Sequence, residues 1–462
     1  MTRSIWRYAL LLASSLIFAL LSSGQEVVTG GPPPEIRSHI DALVRALNTG
    51  SSDEWEKMAQ EHFSPAELKR HSVEARKQTF DNMRRDFGTI SLGQVEGADQ
   101  PLRLHIKGSS GATGVIELKL EPNAPYRIDD LGLKLGGAAH DKSRSNVESP
   151  AVNGKMPNQQ LTSALDTYFG SLAATDVFSG NVLVAKDGKV VYEKSCGFAD
   201  RANKIPNNSA TRFNLGSINK AFTKTAIQQL IGRGKLSLND TVGELLPDYP
   251  QEITRAATVE QLLGHSAGVS DFFGEEFSAA AKDRFRSNAN YYKFVSNLKP
   301  LFAPGVRKQY CNGCYIVLGA IIERISGRPY EKYVEENIFK PARMATAGPL
   351  QSEGINPNVA MGYTQQNGDG QLRSNVLMHG ASGSAAGGGY ATVGDLLNYA
   401  EALRHGRVPD VAASNALGIA GGAPGINSVL EQNGPWTVIV LTNLDPPAGE
   451  EIGRSLAQAL SR

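Results

Sequence analysis

The sequence predicts two folded modules: a small α+β module, then a larger one whose sheet is contributed by both of its ends and carries a helical middle. Three observations lead there. Apolar residues switch from helical to period-two spacing within residues 33–135. Residues 136–159 are dominated by Gly, Ser, Asn, Lys and Pro without apolar periodicity, the pattern of a flexible linker. From 160 to 462, strand patterns stand near the beginning and near the end, with helical patterns between them. A chain of 462 residues is long enough for such an arrangement and for a sizeable core.

Composition narrows the classes of function. The chain has 47 Lys plus Arg against 46 Asp plus Glu, a net charge of +1, so no strong field draws it to nucleic acid or to an anionic membrane. Hydrophobic residues at 41% and charged residues at 20% exclude a largely disordered chain and a multi-span membrane protein. Three cysteines are too few for a disulfide framework.

In chain order, residues 1–24 read as a secretory signal peptide: Arg3 and Arg7, an apolar run from Tyr8 to Leu21, then Ser22-Ser23-Gly24. The run is shorter than the ~20 residues a membrane anchor needs. No cysteine stands at the junction to take a lipid. A periplasmic or secreted protein without a stable membrane anchor is therefore expected. In the first module, Ile36, Ile40, Leu43, Val44 and Leu47 share one helical face, and Ser64-Pro65-Ala66-Glu67 offers an N-cap, a first-turn proline and a capping-box glutamate. Two or three helices are expected. Three period-two runs follow: Leu102, Leu104 and Ile106; Ile116, Leu118 and Leu120; Leu131, Leu133 and Leu135. Helices followed by a small sheet resemble the cone-shaped NTF2-like modules, which implies a spacer or a small-ligand pocket.

The second module opens with an amphipathic helix carrying Leu161, Leu165, Tyr168 and Phe169. A hairpin follows, Val182–Ala185 and Val190–Tyr192 about the turn Lys186-Asp187-Gly188-Lys189. Near its end stand a buried-type strand, Thr437–Leu441, and a helix from about Gly449 to Leu460.

The candidate chemistry begins at Ser217. Ala226, Ile227, Leu230 and Ile231 follow at helical spacing, so Ser217 is expected to open a buried helix with Lys220 at i+3 on the same face. Burial and the helix N-terminus both disfavour added positive charge, which would leave the lysine neutral enough to take a proton from the serine. Ser-x-x-Lys alone is weak evidence. Ser296-Asn297-Leu298-Lys299 has the same spacing, but Pro300 disfavours helix at Lys299. Tyr310-Cys311-Asn312 changes the weight: of fourteen tyrosines, Tyr310 alone has asparagine two places on.

With these residues the second module resembles the serine β-lactamase and penicillin-binding-protein family, specifically its class C, esterase-like branch. Gly234–Asp240, Leu262–Gly268, Ala385–Tyr390 and Asp395–Leu397 recur in the family's order. The resemblance implies a β-lactamase-like α/β domain, an antiparallel sheet with a helical subdomain, and no cofactor or metal. It also implies roles. Ser217 would attack a carbonyl and form an acyl-enzyme; Lys220 and the Tyr310 phenol would share the proton transfers; Asn312 would orient Lys220 or the substrate amide. The backbone N–H groups of Ser217 and Gly422, beside Gly421 on an edge strand, would form the oxyanion hole. The expected partner is a small-molecule or peptide ester or amide.

One family element departs from pattern. Where the branch carries Lys or His, any residue, then Gly, this chain reads Ile419-Ala420-Gly421. Two rival readings follow: a catalytically silent scaffold that lost this element, and a redox protein using Cys311 and Cys314. The cysteines lack the βαβ context of a thioredoxin-like motif. Cys196 reads as a buried small residue, and His265 as a structural hydrogen-bonding residue.

Overall fold

The computed structural model describes residues 32–49, 51–96, 102–109, 113–136, 149–349, 358–365, 371–409 and 416–462. The expected signal peptide, and residues 137–148 of the expected linker, lie outside the described residues. The chain divides into two compact units, Met1–Gly137 and Ala138–Arg462.

The first unit starts with α1 (Pro34–Thr49), α2 (Ser52–His62), α3 (Pro65–Arg70) and α4 (Val73–Phe87). It continues with β1 (Ile90–Glu96), β2 (Leu102–Gly108), β3 (Thr113–Leu120) and β4 (Ile128–Gly136), an antiparallel sheet in that order. Alternate residues Leu102, Leu104 and Ile106 of β2 and Ile116, Leu118 and Leu120 of β3 face a core filled by Leu43, Leu47, Trp55, Phe80, Met83 and Phe87. Four helices stand where two or three were expected. The strand that sequence reading missed is β1, which is mostly polar and shows only Ile90 fully buried at its start. The Ser64 hydroxyl caps α3 by accepting from the Glu67 N–H at 3.0 Å. The Glu67 carboxylate pairs with Arg70 and His71, so the capping box is not closed as the sequence suggested.

The second unit is built around a five-stranded antiparallel sheet. Its order runs from the edge strand Ala416–Ala423 through Ile426–Asn433 and Trp436–Thr442 to β5 (Gly180–Lys186) and β6 (Lys189–Cys196). Its strands come from both ends of the module, as expected. The β5–β6 turn places Asp187 and Gly188 at φ 50° and 72°, the two left-handed positions of a tight hairpin. Strand Trp436–Thr442 is buried at every position and correspondingly apolar on both faces. One face packs on α5 (Asn158–Ala174) and the helix Ala448–Leu460 through Leu161, Phe169, Val184, Val440 and Leu456. Against the other face lies the helical middle, with Leu183, Phe222, Ile227, Leu318 and Ile439 in one core. Cys196 is buried with the first of these layers.

α6 (Asn219–Gly232) is the buried helix that the serine was expected to open. Ser217 instead occupies a single 3₁₀ turn, Gly216–Ile218, immediately before it. The tighter turn follows from how the chain arrives: Phe213–Asn214 pairs with Gly389–Ala391, Leu215 N–H donates to Gly389 O at 2.8 Å, and Gly216 takes φ +50°. A side chain is strained at that φ.

Candidate active site

Four of the predicted residues converge at the mouth of α6. The buried Lys220 Nζ, 6% exposed, donates to Ser217 Oγ at 3.0 Å, to Asn312 Oδ1 at 2.7 Å and to the Ala386 carbonyl at 2.7 Å. The Tyr310 hydroxyl donates to Ser217 Oγ at 2.7 Å. Asn312 begins the helix Asn312–Ser326, whose first turn is capped by Cys311 and whose residues from 312 to 322 are all buried. Cys311 and Cys314 are joined by a disulfide with a Cα–Cα distance of 5.3 Å, so Tyr310 and Asn312 flank one half of a short covalent loop.

The three partners of Lys220 orient its lone pair. A neutral amine has two N–H groups and one lone pair. The carbonyl oxygens of Asn312 and Ala386 can only accept, so in the neutral state they take both N–H groups and the lone pair faces the serine hydroxyl. Burial pulls the Lys220 pKa from 10.5 down to about 7, Asp271 opposes that fall, and Lys224 adds to it. A half-neutral lysine at neutral pH can accept the serine proton. Tyr310 behaves differently: burial raises its pKa, Asp271 adds to the rise, and the hydrogen bond to Ser217 only partly offsets it. The phenol therefore stays protonated at neutral pH. The sequence pairs Ser217 with Lys220 as its base and has the Tyr310 phenol share the proton transfers; this geometry suits lysine as base and tyrosine as proton donor.

Asp271 is the residue that sequence reading missed. Its Oδ2 accepts from Asn312 Nδ2 at 2.8 Å, which turns the Asn312 oxygen toward Lys220. The one signal was its place, three residues after the Leu262–Gly268 stretch and just before Phe272-Phe273. Asp271→Asn keeps an acceptor for Asn312 but removes the charge that holds the Lys220 pKa up. The acid limb of kcat/KM is expected to move about half a pH unit or more toward acid. A pH–rate profile checks this, and an unmoved or alkaline-shifted limb would contradict it.

Gly421 and Gly422 lie on the edge strand beside the 3₁₀ turn. A two-residue turn, Pro424-Gly425, joins the edge strand to its neighbour with Ala423 opposite Ile426. That pairing makes 423, 421 and 419 the residues bonded across the ladder, and leaves the N–H of Gly422 pointing off the open edge. A Cβ on Gly421 would stand 2.1 Å from Leu215 O and 2.7 Å from Ser217 N, and one on Gly216 would stand 3.0 Å from Gly422 N. Strand and turn thus touch backbone to backbone, with the Ser428 hydroxyl donating to Leu215 O at 2.7 Å and to Gly421 O at 3.3 Å. The backbone nitrogen of Gly422 thus lies close to the 3₁₀ turn that carries Ser217. Ile419, on the same strand, packs against the main core.

The other residues singled out fall outside this cluster or support it. His265 stacks on Tyr310, with ring centroids 4.9 Å apart, and its Nδ1 accepts from Cys311 N–H at 3.2 Å; burial lowers its pKa to about 4, so it is neutral. Ser296 is buried at the end of helix Asn288–Val295, while Lys299 is exposed. Among the described residues no cluster of metal-ligating side chains occurs, and no helix is long and apolar enough to cross a membrane. Ser217, Tyr310, Asn312, Gly421 and Gly422 all line one cavity of about 1030 Å³.

A sheet with a helical layer on each face, and a serine, lysine and tyrosine meeting at its edge, define a penicillin-binding-protein-like architecture. Residues 165–418 match the family described as Beta-lactamase, and the chain belongs to that family. It is 35% identical over 194 residues to the putative penicillin-binding protein PbpX of Bacillus subtilis, covering 41% of this chain and 46% of that protein. To penicillin-binding protein 4* of the same organism it is 32% identical over 182 residues, 39% of this chain and 40% of the relative. The aligned region thus spans less than half the length of these curated relatives. A penicillin-binding protein from Bacillus halodurans has a similar structure, with TM-score 0.56 and 26% identity over 63% of this chain and 97% of that one.

Proposed function

We propose that the protein is an exported serine hydrolase that opens an ester or amide through an acyl-enzyme on Ser217. The observation that carries this reading is the partner set of Lys220 Nζ, which leaves its neutral lone pair one direction to face, the Ser217 hydroxyl. In this reading Lys220 takes the serine proton as Oγ attacks the carbonyl carbon. The negative oxygen is held by the N–H groups of Ser217 and Gly422. As the bond to the leaving group breaks, Tyr310 passes its proton to that group and recovers one from Lys220. Water then repeats the sequence on the acyl-enzyme, and serine, lysine and tyrosine return to their starting states. The charged start, apolar run and small-residue end of residues 1–24 support export. Intact mass after exposure to a fluorophosphonate or a penicillin tests the chemistry: one covalent adduct per chain is expected, and an unmodified mass with both reagents would favour a silent scaffold.

Esters and amides without a negative charge are the better substrates in this reading. Ile419 stands where the family's cation or histidine would be, and a missing charge-assisted contact is worth ~1.5–3 kcal/mol, roughly ten- to a hundredfold in efficiency. A p-nitrophenyl ester is therefore expected to give a higher kcat/KM than a chromogenic cephalosporin, and Ile419→His to narrow the gap. A wild-type preference for the cephalosporin would defeat this expectation.

A further inference from the structure

Ser217 lines a cavity far larger than an acetyl group requires, and other parts of its walls are unusual for a surface exposed to water. Ile205, Phe273, Met361, Val376 and Leu377 all line it while remaining solvent-exposed, Leu377 at 82% and Val376 at 61%. Single exposed hydrophobic residues are ordinary; five from four separate stretches of chain converging on one cleft are not. Polar contacts hold three of these stretches, and the Phe273 ring also packs on Phe272 and Phe277, with centroids 4.2 Å and 5.7 Å away. Asn375 Nδ2 donates to Pro424 O at 2.8 Å, Tyr363 OH donates to Asp200 Oδ1 at 3.5 Å and accepts from Arg201 N–H at 2.7 Å, and Phe273 N–H donates to Asp271 Oδ1 at 3.0 Å. The exposed parts of these apolar groups are thus available to contact something else.

The charged groups of the same walls point to what that is. Lys282 is the one lysine or arginine among the described lining residues, and its ammonium donates to the carbonyls of Phe277, Ser278 and Ala280. All three of its donors are used. The Asp200 carboxylate accepts from Asn203, and Glu450 pairs with Arg454. Among the described lining residues no lysine or arginine is left for a substrate carboxylate, burial lowers the pKa of His379 there, and Asp283 is acidic.

We propose that this part of the cleft is an acyl-chain site, and that the substrates are uncharged esters with an extended apolar acyl group. The proposal rests on the reading of Ser217 as nucleophile. The leaving group must lie within reach of the Tyr310 hydroxyl to receive its proton, so the acyl substituent extends from the carbonyl carbon into the rest of the cavity. There the five side chains remove it from water.

The test is a series of p-nitrophenyl acetate, butyrate and octanoate with the full chain, the wild type and the Leu377→Asp and Phe273→Asp variants. Titration with a small fluorophosphonate gives the reactive fraction of each protein. In the wild type, kcat/KM is expected to rise at least tenfold from acetate to octanoate, chiefly through a lower KM. In each variant the octanoate-to-acetate ratio is expected to fall at least fivefold. Acetate turnover with no rise along the series would overturn the acyl site and leave the hydrolase reading standing. A rise that both variants retain would overturn the assignment to these walls. No turnover together with no titratable serine would instead remove the hydrolase reading beneath it.

Discussion

Ser217→Ala is expected to abolish fluorophosphonate labelling and to lower ester kcat/KM by about 10⁴-fold or more. The alanine removes the one atom that accepts from both Lys220 Nζ and Tyr310 OH. It leaves the backbone N–H of residue 217 in place, so any residual rate reports the oxyanion-holding groups and the cavity alone. The hydroxyl has no role in the packing of α6, whose buried positions begin with Asn219 and Lys220, so the melting temperature should hold within a few degrees. Labelling that survives in the alanine variant, at Ser296 or elsewhere, would show that another residue is the nucleophile.

Lys220→Met has the second-largest expected effect, a loss of about 10²–10⁴-fold in kcat/KM, the range a positioned general base supplies. The wild-type profile carries the same information without mutation. Only neutral Lys220 can accept the serine proton, so kcat/KM should rise with pH through about 7 and then level off. Tyr310, with its pKa raised, imposes no fall until strongly alkaline pH. The stability signature has its own sign. A lysine with a folded pKa near 7 and an unfolded pKa of 10.5 binds fewer protons folded than unfolded between those values, so its contribution becomes more favourable as pH rises across that window. Methionine removes that dependence along with the buried charge, while leaving the Asn312 and Ala386 oxygens without this donor. The expected result is a variant that melts near the wild-type temperature, loses activity, and shows a flatter rise of stability between pH 7 and 10. Activity retained in a folded Lys220→Met protein would exclude lysine as base.

What sequence could and could not reveal follows from how local each signal is. The Ser217–Lys220 pair lies within one helical turn, and the β5–β6 hairpin is encoded by its own two-residue turn, so both were legible. Tyr310 and Asn312 are ninety-three and ninety-two residues from their partners, and only the family resemblance connected them. Asp271 carries no pattern of its own: its role arises because the side chain meets Asn312 across a forty-one-residue separation. The Ser428 bond to Leu215 O spans two hundred and thirteen residues and was equally invisible. Strand β1 was missed because its exposed, polar positions erase the alternation that identifies a half-buried strand. The 3₁₀ turn at Ser217 was missed because helical periodicity describes the residues that follow it, and the tightening is imposed by the paired strand before it and the Gly-rich segment alongside.

The order of strands in the sheet also governs when an active molecule can first exist. Trp436–Thr442 lies between Ile426–Asn433 and β5, and the Thr442 hydroxyl reaches Ser179 O across a separation of two hundred and sixty-three residues. A chain emerging from its amino end can therefore close the β5–β6 hairpin early, but β5 lacks its second neighbour until residues 436–442 are available. Closing a loop of that size is entropically slow, and contacts so distant along the chain are the kind that delay folding. Ser217 and Lys220 are made long before Gly421 and Gly422 can approach them, so the nascent chain carries the serine before the strand edge that lies beside it. In the proposed reading, the reactivity of Ser217 therefore waits on the late strands of the sheet rather than on the making of the serine itself.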